Sequence, residues 1–439
     1  MTKDREERQD DEKPQSRPVY EDKVRALRAA IEDRDEGLGT EEPVETLSLL
    51  RDAWRENASD IHLDPQVDGY RLRLRLDGIL IDVLELDVDR GLRLLNQFKT
   101  LSRVSPGAVL TAEEGRFSVT LDEGQAPIDL RLALVPCIIG EKLAVRMLVR
   151  RKVERQIQQL GLAEEEFTTI SSWLNNLKGM FLAAGPTGCG KTTTLYALLH
   201  QLKLMERNIM TVEDPVEYSI PGINQVQVNQ EQGLDFAAGA KALLRLDPDF
   251  LLVGEIRDRS SARAALNAAT SGRIMLSTLH SHDAAGVIGA LRNYGMSDLE
   301  IAPNLAMVVS QRLVRILCPE CREEKELREQ DREWFEDMGI TPPDRVWYPR
   351  GCEECANVGY HGRTGVFEVW RLRDEDYRLI LDSADEHSIR SSLRQRGHRS
   401  LIDNASEKMA SGEISPSEIR ALSGFGPLGE PLTDWSPSR

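Results

Sequence analysis

No stretch of the 439 residues approaches the run of about 18 apolar residues that a membrane-spanning helix needs. Any membrane contact is therefore expected to run through a partner or a surface. The chain also lacks the basic start and apolar stretch of a secretory leader, since it opens MTKDREERQDDEKPQ. A cytoplasmic location is the expectation. Basic charge is in deficit, with 56 Lys and Arg against 73 Asp and Glu, a net charge of −17. Such a balance repels free nucleic acid on average and gives no broad affinity for an anionic membrane. Aromatic residues are 5% of the chain and supply no aromatic–basic platform for nucleic acid. Cysteine is scarce too. Of six, four fall in two C-x-x-C pairs, a pattern that favours metal over disulfide in a reducing compartment. What remains, 40% hydrophobic and 29% charged, is a globular composition with length for roughly two to four domains.

Residues 1–42 are dense in charge and read as largely disordered or weakly helical, with a short helix over 20–35 lining up Val24, Leu27 and Ile31. Residues 43–150 read as an α+β domain. From Pro43 to Asn57, Val44, Leu47, Leu50 and Trp54 recur at helical spacing. The period then drops to two. Tyr70, Leu72, Leu74 and Leu76 alternate with Arg71, Arg73 and Arg75 before Asp77-Gly78, the signal for strand, tight turn, strand. A helix near 89–102 follows, then alternations over 117–121, 128–134 and 143–147, for roughly four to six strands in all. Residues 151–162 form a linker. Over 163–317 short apolar strands (MFLAA, NIMTV, FLLVG, RIMLST) alternate with helices, the rhythm of a mostly parallel sheet covered on both faces. Residues 318–370 hold the cysteine pairs, 371–422 are helical, and 423–439 form a flexible Gly/Pro-rich tail. The fold class expected is α/β.

Residues 185–192, GPTGCGKT, match G-x-x-x-x-G-K-[ST] between an apolar strand and a helix. Gly185, Gly188 and Gly190 let the backbone curl so that the N–H groups of Gly185, Pro186, Thr187, Gly188, Cys189, Gly190, Lys191, Thr192 and Thr193, proline excepted, surround phosphate oxygens. Lys191 is placed to reach the β- and γ-phosphates, and the Thr192 hydroxyl to ligate Mg²⁺. The helix that follows favours anionic charge at its N-terminus. Cys189 reads as a small filler and not a nucleophile.

Hydrolysis needs a group to orient water and a group to hold the metal. Phe250–Val253 is a short buried strand ending in Gly254-Glu255, and a carboxylate at such a strand tip lies beside the phosphate loop in a doubly wound sheet. Glu255 is the candidate to polarise the attacking water. In TVEDPVE, Glu213 and Asp214 are candidates to hold Mg²⁺ through water or to steer the nucleophile, with an ordinary acidic loop the alternative. In STLHSHD, His280 is a candidate γ-phosphate sensor, with a structural histidine the alternative.

Cys318, Cys321, Cys352 and Cys355 have the pattern C-x2-C, then residues 322–351, then C-x2-C. Thiolates so spaced close a tetrahedral, structural Zn²⁺ site. The gap exceeds that of a compact zinc ribbon, so a protruding helical insert is expected. Cys137 is expected to be a buried filler.

These pieces, in this order, resemble the secretion ATPase superfamily, in the branch that powers type II secretion and type IV pilus assembly. GPTGCGKTTTLY, TVEDPVEY, LLRLDPDFLLVGEIRD and STLHSHDA resemble its Walker A motif, Asp box, Walker B motif and His box. ASDIHLDP with YRLRLRLDG resembles the start of its second N-terminal domain, and QRLVRILCPEC with GCEECANVGYHGRTGVFEV its metal-binding subdomain. The resemblance covers residues 44–422. It implies a RecA-like P-loop ATPase core with a zinc-binding subdomain, a homo-hexameric ring, and ATP with Mg²⁺ as cofactors beside Zn²⁺. Its implied setting is the inner face of the cytoplasmic membrane, reached through inner membrane platform proteins and without direct contact with nucleic acid. Glu255 would be the catalytic glutamate, Glu213 the Asp-box acid and His280 the His-box member. Arg131 and Arg146, with Arg116 behind them, match arginines that the family brings from its N-terminal domain to the phosphates.

The chain departs from the family's pattern at Arg245-Leu246-Asp247-Pro248-Asp249 (usually Arg-Gln-Asp-Pro-Asp), at Ser271-Gly272-Arg273 (Thr-Gly-His), at Ala112-Glu113-Glu114-Gly115-Arg116 (Pro-Gln-Asp-Gly-Arg) and at His282 (Asn). The first docking domain, which many relatives use to reach the inner membrane platform, is expected to be reduced or absent. Retraction motors generally lack the cysteine lobe, so the resemblance points to an assembly motor. The other readings are a nucleotide-gated adaptor that scarcely hydrolyses ATP and a nucleic-acid-associated motor such as one serving DNA uptake.

Overall fold

The computed structural model describes residues 44–423, apart from 57, 77, 106, 108–109, 122–126, 149–154 and 356–357. The helix expected over 20–35 and the tail lie outside the described residues.

Helix α1 (Val44–Arg55) and strands β1 (Asp60–Gln66), β2 (Gly69–Leu76) and β3 (Ile79–Leu86) come first, then α2 (Val88–Ser102), β4 (Glu113–Val119), β5 (Ile128–Cys137) and β6 (Gly140–Leu148). The strands form one antiparallel sheet in the order β3-β2-β1-β6-β5-β4. Its period-two sequence makes it one-sided. Ile61, Leu63, Leu72, Leu74, Leu130, Leu132, Leu143 and Val145 pack under Leu50 and Ala53 of α1 and Leu94, Leu95 and Phe98 of α2. The other face carries the intervening charged residues. Cys137 belongs to that face, at the exposed end of β5, and is exposed. The expectation of a buried filler is thus corrected: its parity sets it with Arg131 and Ala133, away from the inward leucines.

Next come α3 (Glu164–Leu174), β7 (Met180–Ala184), α4 (Lys191–Lys203), β8 (Ile209–Glu213), β9 (Asn224–Gln227), α5 (Phe236–Leu243), β10 (Phe250–Ile256), α6 (Arg259–Thr270), β11 (Ile274–Leu279), α7 (Gly286–Asn293), α8 (Asp298–Asn304) and β12 (Leu305–Leu317). They are followed by β13 (Glu323–Glu326), α9 (Glu329–Asp337), β14 (Arg345–Tyr348), β15 (Tyr360–Arg371), α10 (Asp374–Leu381), α11 (Glu386–Gln395), α12 (Leu401–Ala410) and α13 (Pro416–Ser423). A seven-stranded sheet runs β15-β12-β7-β11-β10-β8-β9, parallel except for β15. One face is covered by α3 and α4 through Trp173, Leu195 and Leu199. The other is covered by α5, α6 and α7 through Phe236, Leu266 and Ile288. Strands buried on both faces read as continuous apolar runs, hence MFLAA and FLLV. No helix among the described residues is long and apolar enough to cross a membrane.

The cysteine-bearing segment differs from expectation in two ways. Its last stretch, β15, pairs with β12 from Met307↔Arg371 to Leu317↔Tyr360 and so belongs to the large sheet. The insert between the cysteine pairs is not a helix alone: β13 and β14 pair on either side of α9. Nor does it protrude, because Phe335, Val346 and Tyr348 are buried against Leu401, Ile402, Met409 and Ile419 of α12 and α13.

Glu166 ties α3 to this C-terminal region. Its carboxyl accepts from the Ala163 N–H (2.7 Å) and from Asn404 Nδ2 (2.8 and 3.1 Å). Burial pushes it up to about 7, against the pull of the Ala163 N–H and of Arg399 and Lys408. An acid whose pKa is raised by folding binds more protons folded than unfolded between about pH 4.5 and 7, so its contribution is intact below that window and lost as pH rises through it. The Glu166 contribution to unfolding free energy should therefore fall by on the order of 3 kcal/mol across this range. Denaturant titrations of Glu166→Gln should show that slope flattened, and an unchanged slope would remove Glu166 as its source.

Candidate nucleotide site

The loop 185–190 joins β7 to α4 at the carboxyl end of the parallel strands, where doubly wound sheets bind ligands. Two of its glycines are required by geometry. Gly185 has φ +146°, and a Cβ there would lie 2.6 Å from both Cys189 Sγ and the Gln311 carbonyl oxygen. Gly190 caps α4 with φ +93°. The Lys191 ammonium donates to the Gly185 and Pro186 carbonyls at 2.7 and 3.0 Å. Burial lowers its pKa, with Cys189 and Glu255 opposing. Thr187 and Gly188 are exposed, while Thr192 and Thr193 are half-buried at the helix start. Cys189 is buried, which pushes its thiol up.

Glu255 stands where the β10–β11 ladder shifts register, between Val253 and Ile256. Ser277 Oγ and Thr278 Oγ1 hold that segment by donating to the Val253 and Gly254 carbonyls at 2.6 and 2.8 Å. One Glu255 oxygen lies 2.8 Å from His280 Nε2, and the other accepts from Arg257 Nε at 2.6 Å. Arg257 Nη1 is 3.6 Å from Asp214. Glu255, His280, Arg257 and Asp214 thus form one polar cluster, of which Glu255 is within electrostatic reach of Lys191.

Glu213 is placed differently from Glu255. It is 4% exposed and accepts from Thr211 Oγ1 (2.5 Å), Tyr196 Oη (2.5 Å) and Gln225 Nε2 (3.2 Å). Burial raises its pKa, against these three donors. It braces α4 against β8 and β9, and its neighbour Asp214 is the acid that reaches the cluster.

Arg116, Arg131 and Arg146 are directly opposed across β4, β5 and β6. Like charges in such a row repel, which costs stability unless a partner draws on them. Arg131 has one in the other sheet's loop: its Nη2 is 3.8 Å from Glu217, after β8. Burial lowers the Arg131 pKa, Glu217 opposes, and Arg116 and Arg146 lower it further. Arg146 instead pairs with Asp60 of its own sheet at 3.0 Å.

Two polar residues at this site open the motif QRLVRILCPEC, which the resemblance assigns to the metal-binding subdomain and not to the phosphate loop. Gln311 and Arg312 lie buried in β12, and Gln311 Nε2 donates to the Cys189 carbonyl at 2.8 Å. A Gln-Arg pair inside the apolar run LAMVVSQRLV was the available signal.

The four cysteine sulphurs lie within 4.8 Å of one another. Cys318–Cys352, Cys321–Cys355 and Cys352–Cys355 are 3.9, 3.7 and 3.8 Å apart. Four sulphurs held about 2.3 Å from a tetrahedral ion stand about 3.8 Å apart. Backbone N–H groups of Gly351, Cys352 and Gly359 point at sulphurs at 3.3, 3.3 and 3.1 Å, as suits thiolates. The donor set fits Zn²⁺.

A family model described as "Type II/IV secretion system protein" matches residues 38–421. The type II secretion system protein E of Aeromonas hydrophila is 36% identical over 372 residues, 85% of this chain and 74% of that protein. The type IV pilus assembly ATPase PilB of Acinetobacter baylyi is 35% identical over 380 residues, 85% of this chain and 65% of that protein. Among solved structures, the Legionella pneumophila ATPase DotB superposes with TM-score 0.65 at 18% identity, over 89% of this chain and 98% of that one. The pilus retraction motor PilT with bound ADP superposes with TM-score 0.59 at 21% identity, over 86% and 96%. At these identities the structural likeness establishes the fold.

Proposed function

The chain belongs to the type II/IV secretion system protein family, and from that premise we propose that it is an ATPase whose turnover powers assembly of a pilus or pseudopilus. The observation that carries the reading is the juxtaposition of Glu255, His280 and the Lys191 loop at one end of the parallel sheet. ATP would be held by residues 185–193. The Thr192 hydroxyl and Asp214 are the groups suited to Mg²⁺ or its water ligands, and the ion would neutralise phosphate charge. Glu255 would polarise the attacking water, and His280 and Arg257 would fix the orientation of its carboxylate. Glu213 would act through Tyr196 by holding α4 in place. The working form would be a homo-hexamer at the inner face of the cytoplasmic membrane, bound to platform proteins, adding pilin-like subunits. The net charge of −17 favours a protein partner over nucleic acid.

Purified protein with Mg²⁺ should bind ATP and hydrolyse it, and Lys191→Ala should lose both. Absence of adenine-nucleotide binding would overturn the proposal. Binding without turnover would make the chain a nucleotide-gated adaptor.

Arg131 would swing from Glu217 to the phosphates as the two sheets close, cancelling developing charge there and only then. Arg131→Ala should lower kcat by about 10- to 100-fold, and Arg146→Ala by much less. Steady-state kinetics of the two variants check this ranking, and equal effects would refute it.

A further inference from the structure

Strand β12 is apolar along its length except at Ser310-Gln311-Arg312 and at Arg315, and the three consecutive residues are 2% exposed or less. Consecutive side chains on a strand point to opposite faces. Here that alternation divides two tasks. On one face Gln311 Nε2 donates to the Cys189 carbonyl of the phosphate loop at 2.8 Å, and its Oε1 accepts from Thr194 Oγ1, in the first turn of α4, at 2.8 Å. On the other face Arg312 Nη2 donates to the His282 carbonyl at 2.5 Å, while Nη1 donates to the Gln311 carbonyl at 2.9 Å. His282 is two residues from His280, whose imidazole lies 2.8 Å from Glu255. The rest of that loop is held from further elements. Ala284 N donates to Glu368 of β15 at 3.2 Å, and Asp283 pairs with Arg390 of α11 at 2.6 Å.

Arg312 is expensive to bury. It is 1% exposed, it donates to carbonyls, and its Nε has no hydrogen-bond partner. Glu368 and Asp283 offset its charge from a distance, and its Nη1 also lies against the phosphate loop, 3.3 Å from where a Cβ on Gly185 would stand. An apolar side chain of the same size would avoid that desolvation, so stability alone does not account for a guanidinium here. What it does supply is a fixed place for the His282 carbonyl.

We infer that Gln311 and Arg312 are positioning residues for hydrolysis, a strut in which adjacent residues of one strand hold the phosphate loop on one side and the His280–Glu255 pair on the other. Because β12 is clamped between β7 and β15, two adjacent residues of one rigid strand reach both the phosphate loop and the loop that follows His280, adding to the link that the Gly185 N–H makes to the Leu279 carbonyl at 3.2 Å. Misplacement of such groups by about 1 Å costs about 100-fold in rate. The inference rests on the ATPase reading above.

The test measures kcat, KM for Mg-ATP and the equilibrium affinity for ADP on the full chain, for wild type, Arg312→Met, Arg312→Lys and Gln311→Leu. Arg312→Met should lower kcat about 10- to 100-fold with KM and ADP affinity within about two-fold of wild type. Arg312→Lys should recover part of the loss, since an ammonium still donates to the His282 carbonyl. Gln311→Leu should do the reverse, raising KM and weakening ADP about 10-fold with a smaller change in kcat, because the Cys189 carbonyl and Thr194 lose their anchor. Should Arg312→Met fail to fold, Arg312→Lys decides: a kcat lowered with ADP affinity kept supports the inference, and an unimpaired kcat or an equal loss of both sinks it. An active wild type with an unimpaired Arg312→Met sinks this inference alone. So does a loss shared equally by kcat and ADP affinity and not relieved by lysine. An inert wild type brings down the ATPase reading and this inference with it.

Discussion

Replacing Glu255 by Gln should leave ATP binding within about two-fold of wild type and lower turnover about 10²- to 10⁴-fold, the range for a positioned general base. The substitution keeps shape and hydrogen-bonding capacity while removing the negative charge and the site that takes a proton. Binding should survive because the phosphate loop makes its own contacts: Lys191 reaches only loop carbonyls, and Gly185 and Gly190 are set by β7, β12 and α4. Turnover should not survive, because Glu255 is the cluster acid that meets both His280 and Arg257. An amide can satisfy Arg257 through its oxygen, but it polarises water weakly. His280→Ala should cost less, about 10-fold, since it removes a partner of the carboxylate and not the carboxylate itself. Single-turnover hydrolysis on pre-bound ATP separates the chemical step from nucleotide exchange. Glu255→Gln turnover within ten-fold of wild type would show that another group activates the water.

The parts of this site that were legible in the sequence are the local ones. A phosphate loop is a contiguous run whose glycines answer to backbone angles, and Glu255 announces itself by ending an apolar strand. The small sheet was legible because one face is solvated, which leaves a period of two in the residues. What escaped depends on contacts distant in sequence. Glu213 and Asp214 are neighbours with the same chemistry, and only the approach of Tyr196 and Gln225 decides that the first turns inward. Gln311 reaches Thr194 across more than a hundred residues, and no periodicity carries that. β13 reads EEKE and has no apolar alternation to betray a strand, since its partner β14 supplies the buried Val346 and Tyr348. From the sequence, Arg131 and Arg146, with Arg116 behind them, are offered by resemblance alone. The register that aligns them across β4, β5 and β6, and the Glu217 that singles out Arg131, needed the fold.

We expect the cysteine cluster to hold Zn²⁺, and removing that ion should destabilise the C-terminal lobe by on the order of 10 kcal/mol of local folding free energy. The reasoning starts from the lobe's composition. β13 and β14 are four-residue strands, and an isolated two-stranded ladder is marginal in water. Their support is a shared core with α12 and α13 through Phe335, Tyr348, Leu401 and Ile419. The cysteines close both ends of that insert, Cys318 directly after β12 and Cys355 before β15. Without an ion, four thiols under 5 Å apart must either stay protonated or repel as thiolates, so their closeness is stabilising only when a cation neutralises them. As-purified protein should carry about one Zn²⁺ per chain, and Cys321→Ser with Cys355→Ser should carry none. In hydrogen exchange the variant should lose protection first in β13, α9, β14 and α12, while β7, β10 and β11 stay protected, since their core is a separate cluster. Turnover should fall next, because β12 runs from the Arg312 strut directly into Cys318 and its end is pinned by the Leu317 N–H donating to the Glu413 carbonyl at 2.8 Å. Chelator-treated protein with unaltered exchange in the lobe and unaltered turnover would mean that apolar packing alone holds this region, and that the thiols are close for another reason.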